Sequence, residues 1–439
     1  MMPARLFKWL PLVLTFALGA GEQPCAADEP EIAPLHLTLK EAQDLALRQN
    51  PRISVASLTA LADEQATREA RAAFYPTIVA NATAAGADSA DTRLAAGGLN
   101  NPSVFDRNAE GVSVSQLITD FGRTSALAKS AESRSRAGSM ELTAARSQIL
   151  LEVNNAYFGA LEAQARLQVA DQTVASRQLA FQQIQALATN QLKSELDVSF
   201  SAVDLNQAQL LQVRARHDVQ AGFATLAEAL GEPRPRTFQL VDEPMFPEVT
   251  NSLSALIAEA LAQRPDLARL RFERDAAQQS ARAEYRLSYP TLSAVGGAGV
   301  VPIGDSRLPD KYAAAGVNLS IPLFTGGLYA GRRREAELRA QAVAENVRAG
   351  ENSVIREVQV AALNLELAGQ QFTLTAKLLA NADQAFSLAQ ARFKAGSASI
   401  LELSQADVNR TSARIADADA RYDYQIQHSA LDFELGRLR

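Results

Sequence analysis

Side chains able to do chemistry are sparse in this chain of 439 residues. Its three histidines, His36, His217 and His428, stand far apart in sequence, and Cys25 is its one cysteine. A structural metal site draws ligands from short Cys and His spacings, and a hydrolytic triad needs a histidine serving a nucleophile. Neither pattern is written here. Asp120, Phe121 and Gly122 spell a protein-kinase triplet, but the catalytic loop and the strand lysine that would complete a phosphate site are missing. The triplet reads instead as a strand-to-helix turn, with Gly122 and its later partner Gly327 making the bend. Gly297 and Gly299 lack the third glycine of a dinucleotide loop. The expectation is no catalytic residue, no cofactor and no metal, hence not an enzyme.

Composition narrows the class. With 47% apolar and 21% charged residues the chain can bury a large core, and a formal charge of −6 gives no electrostatic reason to expect nucleic acid. Arg5 and Lys8 precede an apolar run over 9–20, which reads as an export signal, too short to span a bilayer as a helix. Cleavage after Ala27 or within 17–21 fits; lipidation of Cys25 is the weaker alternative, because Gln23 and Pro24 precede it where small residues are needed. No later segment is long and apolar enough for a transmembrane helix. An exported chain of this kind that resides in a membrane must cross it as a β-barrel.

The elements that must carry any function come in two copies. Leu39, Pro51 and Tyr75 fall on Leu253, Pro265 and Tyr289, and from Gly111 onward a second constant offset places Val153, Phe181 and Leu230 on Val358, Phe386 and Leu435. The offset changes only between Thr77 and Gly111, which predicts a longer loop there in the first copy. No proline lies between Ser103 and Glu232 or after Pro322, so two long stretches are free to be helical. In the first, Val153, Ala160, Leu167, Val174, Phe181 and Ala188 hold one heptad position. A companion position runs Ala156, Ala163, Ala170 and Ile184, broken by Arg177. The second copy repeats both, with Thr375 as its break. A period of seven this long is a coiled-coil seam. Each long helix then turns back at residues 190–194 or 395–399, and Gly231 and Gly436 cap the returning helices. Before each long helix, Val112, Val114 and Gln116 alternate with Ser113 and Ser115, and Val317, Leu319 and Ile321 alternate with Asn318 and Ser320. Period two predicts strands, paired with runs over 75–84 and 289–298. Phe74, Tyr75, Phe121, Tyr289 and Phe324 mark the strand ends, as an interfacial girdle or as core aromatics of a soluble hairpin.

Two hairpins supply four strands, whereas the smallest closed membrane barrels have about eight. The chain must therefore associate with copies of itself: two would give eight strands, three twelve. Its alternative is a soluble periplasmic coiled-coil scaffold protein whose short strands form a capping sheet.

In order along residues 37–436, the chain carries LTLKEAQDLALRQNP, FYPTI and SYPTL opening the hairpins, VSQLITDFGR and LSIPLFTGG closing them, and ARFKAGSASILELSQAD at the second tip. With these it resembles the TolC family of outer-membrane efflux channels, the outer membrane factor of tripartite pumps. The resemblance implies a mainly α chain with membrane β: a homotrimer making a 12-stranded β-barrel in outer-membrane lipid and a periplasmic α-helical barrel. It implies a passive exit duct for efflux or type I secretion, reached through a periplasmic adaptor protein and an inner-membrane transporter, and no nucleic acid. The expected organisation is a signal peptide over 1–27, a lead over 28–38, a first repeat over 39–231, an equatorial linker over 232–252, a second repeat over 253–436 and a tail over 437–439. The strand hairpins fall at about 75–119 and 289–323. Carried over from the family, the channel constriction falls on Glu402 and Gln405, with Asp197 the first-copy counterpart of Glu402. A pattern of two acids is half kept, because Gln405 is neutral, so Glu402 forms either a cation-selective ring or a solvated surface carboxylate. The adaptor-docking tips are Gln191, Leu192, Lys193 and Ser194, and Gly396, Ser397, Ala398 and Ser399, with Gln191 standing where the family usually has glycine. The substrate and the pump class are not written in these residues.

Overall fold

The structure, a computed structural model, describes residues 35–85, 107–234, 236–303 and 310–439. The export signal, Cys25, Pro235 and most of the first-copy loop expected between Thr77 and Gly111 lie outside the described residues. In the first copy, β1 (Leu35–Leu37) leads to α1 (Leu39–Gln49), α2 (Pro51–Ala72), β2 (Thr77–Ala85), β3 (Arg107–Thr119), α3 (Arg123–Thr189) and α4 (Glu195–Leu230). After β4 (Phe238–Leu240), the second copy runs α5 (Leu253–Gln263), α6 (Pro265–Tyr285), β5 (Thr291–Ile303), β6 (Lys311–Ser320), α7 (Leu328–Lys394) and α8 (Ile400–Glu434).

Local chemistry sets the helix ends. Thr38 and Glu41 form a capping box at α1, and Pro51 and Pro265 occupy the first turns of α2 and α6, where no amide donor is needed. Both α3 and α7 have 67 residues, so each runs about 100 Å. The companion seam position is buried along α3 at Ala156, Ala163, Ala170 and Ile184, and Arg177 is buried in line with them. In α7 the same position buries Ala361, Ala368, Ala382 and Ala389. Small side chains let helix backbones approach closely, as where Gly222 of α4 meets Ala160 of the first heptad position: an added Cβ would sit 3.3 Å from the Ala160 Cα.

Duplication extends to the packing. Val153, Leu226 and Leu230 of the first core match Val358, Leu431 and Leu435 of the second, and Phe246 of the linker packs against both. At both helix exits a glycine is required: Gly231 (φ 78°) and Gly436 (φ 73°) are left-handed. A Cβ on them would meet the backbone of Asn50 at 2.8 Å and of Gln263 at 3.0 Å. The linker is fastened by a parallel β1–β4 pair, Leu35 opposite Phe238 through Leu37 opposite Leu240. Buried Tyr157 places its Oη 3.0 Å from Leu37 O and 2.7 Å from Val241 O. Burial and the nearby Glu243 carboxylate push its phenol above the ordinary range, so it stays a neutral clasp.

All four hairpin strands form one antiparallel sheet in the order β2-β3-β5-β6. The two copies therefore meet through β3 and β5, and β2 and β6 are left as edges.

Candidate functional site

Register decides what the sheet can do. Residues directly opposite in an antiparallel pair share a face. Ile78 lies opposite Val114, Ala80 opposite Val112, Val112 opposite Ala298, and Ala294 opposite Val317. Leu292 and Leu319 continue this apolar face. Glu110 and Lys311 flank Val300 on it at the end farthest from the helices, and Gln116 is held by donating to Phe74 O (3.0 Å) and Leu117 O (2.7 Å). The other face carries Thr77, Asn81 and Thr83, then Ser113 and Ser115, Ser293 and Gly297, Asn318 and Ser320. Val79, Leu117, Val295 and Ala314 are apolar exceptions on it. One face suits hydrocarbon and the other water, which is the pattern of a strand between lipid and an aqueous lumen.

Where sheet becomes helix, the bend is tied down. The Asp120 carboxylate accepts from Gly122 N (3.1 Å), Thr124 N (2.7 Å) and Thr124 Oγ1 (2.6 Å). Arg286 of the second copy donates to Gly122 O (2.6 Å), and Phe121 meets Tyr289 edge to face at 6.2 Å. The Asp-Phe-Gly triplet is thus a capped turn.

At the opposite end both helical hairpins close with the same backbone hydrogen bonds. Leu192 N donates to Leu187 O (2.9 Å) and Ser397 N to Arg392 O (2.9 Å), the 6→1 bond of a Schellman turn. That turn needs one left-handed residue, Gly396 (φ 75°) in the second tip and Gln191 (φ 58°) in the first. Leu192 is 70% exposed, so the first tip presents an apolar knob where the second has Ser397. Lys193 Nζ lies 4.7 Å from the centre of the Phe393 ring and joins the two tips.

The expected constriction residues have unlike roles. Asp197 closes a capping box on Ser194, and the bonds from the Ser194 backbone and hydroxyl hold its carboxyl below the usual range. Glu402 lies in the equivalent turn of α8, but its carboxylate is taken by Arg392 Nη1 of the same hairpin at 2.5 Å. Gln405 donates to Asn409 Oδ1 (3.0 Å). The structure groups Glu402 with the second tip through Arg392, and no hydrogen bond or ion pair joins Glu402 to Asp197 among the described residues.

One cluster goes beyond the sequence expectation. Buried Arg177 of α3 pairs with Asp204 of α4 (3.3 Å) and Asp407 of α8 (3.0 Å), and Ser404 Oγ donates to Asp204 Oδ2 (2.6 Å). The Arg177–Asp407 and Ser404–Asp204 contacts cross from the first hairpin to the second, beside a groove of about 520 Å³ walled by Leu179, Leu187, Phe386, Phe393 and Leu403. Its signal in the sequence was the charge at Arg177, the break in an otherwise apolar seam position.

The family described as outer membrane efflux protein matches residues 42–232 and 256–437. The outer membrane protein TolC of Vibrio cholerae is 24% identical over 98% of this chain and 96% of its own length. The alkaline protease secretion protein AprF of Pseudomonas aeruginosa is 25% identical over 92% of this chain and 85% of its own. Among solved structures, the Campylobacter jejuni outer membrane channel CmeC superposes with a TM-score of 0.79 at 17% identity, covering 91% of this chain and 85% of its own. The Vibrio cholerae protein VceC gives 0.76 at 20%, covering 91% and 96%. A soluble scaffold is set aside by this family match together with the apolar face of the sheet.

Proposed function

The chain belongs to the outer membrane efflux protein family, outer-membrane channels of efflux and type I secretion systems with a large periplasmic helical portion, and on that premise we propose that three copies close into one passive exit duct. The observation that carries this is the four-stranded sheet with one apolar face, one polar face and two free edges. Each backbone group left unpaired in hydrocarbon costs several kcal/mol, so the two edges of a lone chain would cost on the order of tens of kcal/mol. Pairing β6 of one copy with β2 of the next removes both edges and keeps the barrel antiparallel, because each copy contributes an even number of strands. A barrel of about eight strands is filled by its own side chains. An open duct therefore selects three copies and twelve strands over two and eight.

The helices support the same assembly. Leu196, Phe200, Val203, Leu210 and Val213 form an exposed apolar stripe on α4, and Val360, Leu363, Leu367, Leu374 and Leu378 form another on α7. Unsatisfied within one chain, they suit seams between neighbouring copies. The linker over 232–252 belts the middle of the helical barrel between a first repeat at 39–231 and a second at 253–436. Three sets of Glu402, Gln405 and Asp197 narrow the periplasmic mouth. The tips Gln191 to Ser194 and Gly396 to Ser399 receive a periplasmic adaptor protein, which links the duct to an inner-membrane transporter that supplies the energy. Opening the mouth requires α7 and α8 to swing from α3 and α4, and the Arg177–Asp407 and Ser404–Asp204 contacts hold it shut.

The test is the oligomer and its pore. Detergent-extracted protein is expected to have the mass of three chains by native mass spectrometry, to dissociate on heating, and to conduct in planar lipid. A monodisperse monomer that stays soluble without detergent and forms no pore would end this reading.

A further inference from the structure

We infer that the arginines at the junction of sheet and helices form a collar binding the phosphates of anionic phospholipids in the periplasmic leaflet of the outer membrane. This rests on the membrane placement of the sheet given above. Beside Arg68 and Arg71 at the end of α2, which pair with Glu64 and Glu132, six further arginines gather within about two helical turns of the strand ends: Arg123 opening α3, Arg282 and Arg286 closing α6 and the turn after it, and Arg332, Arg333 and Arg334 in the second turn of α7. The whole chain has a formal charge of −6, so this is a local reversal of sign.

Nearby carboxylates are too few to neutralise them. Glu284 takes Arg332 at 2.9 Å, Glu335 is taken by Arg339 at 2.7 Å, and Glu337 is shared by Arg333 at 2.8 Å and Arg334 at 3.5 Å. Asp120 is consumed by its turn, and Arg123, Arg282 and Arg286 have no carboxylate partner among the described residues. The three α7 arginines keep 45%, 51% and 64% of their side-chain surface exposed.

Depth fits a headgroup layer. Arg332 to Arg334 follow Leu328 by about 6–9 Å of helix rise, and the headgroup zone of one leaflet is about 5–8 Å thick. Aromatics mark its upper border: Tyr285 packs on Tyr289 and Tyr289 on Phe121, while the Arg333 guanidinium lies 4.4 Å from the centre of the Tyr285 ring. An arginine laid on an interfacial ring, its remaining donors open to solvent, suits a phosphate oxygen.

The experiment uses full-length protein in equimolar phosphatidylcholine and phosphatidylglycerol vesicles, extracted in detergent, with retained lipid read by native mass spectrometry. Phosphatidylglycerol is expected to be retained preferentially, and the combined Arg332→Gln, Arg333→Gln, Arg334→Gln variant to lose at least about tenfold of that preference. The corresponding triple Lys variant should keep most of it, and a heat-labile oligomer checks that each variant has assembled. Equal retention of both lipids by the wild type, or an undiminished preference in the Gln variant, overturns the collar. Complete displacement of phosphatidylglycerol by added inorganic phosphate also overturns it, in favour of a free-anion site. A protein that conducts without lipid preference refutes the collar alone, whereas one that neither inserts nor conducts refutes the channel reading too.

Discussion

Arg177 shows how much a single position in a regular pattern can say. Every neighbour at its heptad position is a small or branched apolar residue, and a guanidinium there is costly unless it is fully paired. Its side chain is 8% exposed and meets two carboxylates, one of them across the boundary between hairpins. The anomaly was legible in the sequence, but Asp204 and Asp407 were not, since they lie 27 and 230 positions away and no local spacing points to them. Glu402 is the converse case: its position could be read from the tip, while its pairing with Arg392 could not. Arg177→Ala should destabilise the tip region by about 3 kcal/mol, because it leaves two part-buried carboxylates facing each other. Hydrogen exchange should then accelerate over 195–210 and 400–412 ahead of the rest, and single-channel conductance should rise. Adding Asp407→Leu to an Arg177→Met background should recover stability without restoring the closed conductance. An unchanged exchange pattern in Arg177→Ala would show that the cluster holds nothing.

At the level of elements, heptads and period-two runs were readable because helix and strand each impose one repeat on the side chains they bury. The β1–β4 pair was not, because three-residue strands contain no period and depend on Tyr157 and the linker to bring them together. Helix exits were legible at Gly231 and Gly436, though not the reason they tolerate nothing larger. Gly231→Ala and Gly436→Ala each add left-handed strain of about 1–2 kcal/mol and an overlap with facing backbone worth about 1–3 kcal/mol. Gly396→Ala adds the strain alone, since nothing lies within 4 Å of its added Cβ. Thermal unfolding should therefore rank the first two clearly below the third. Three equal shifts would mean that the backbone around Asn50 and Gln263 yields freely, and that close approach of the α4 exit to Asn50 and of the α8 exit to Gln263 is not what those glycines protect.

For the whole molecule, four amphipathic strands in one chain already required self-association, and the number of copies followed only once an open lumen was required of the barrel. Which side faces lipid was implicit in the alternation of Val317, Leu319 and Ile321 with Asn318 and Ser320, and the register across four strands makes it a property of the sheet. Neighbouring positions in β6 give the sharpest check. Val317→Arg places a guanidinium on the apolar face, at a cost of about 2–4 kcal/mol near the bilayer midplane, multiplied by every copy in the barrel. Asn318→Arg places the same group one residue on, among Ser293 and Ser320 in the lumen, where water and counterions solvate it. The first should abolish the heat-labile oligomer in outer-membrane fractions. The second should assemble normally and shift reversal potentials in a salt gradient toward anions. If Val317→Arg assembles as well as Asn318→Arg, the two faces are assigned the wrong way round or the sheet does not sit in lipid, and the barrel would have to be rebuilt from a different closure.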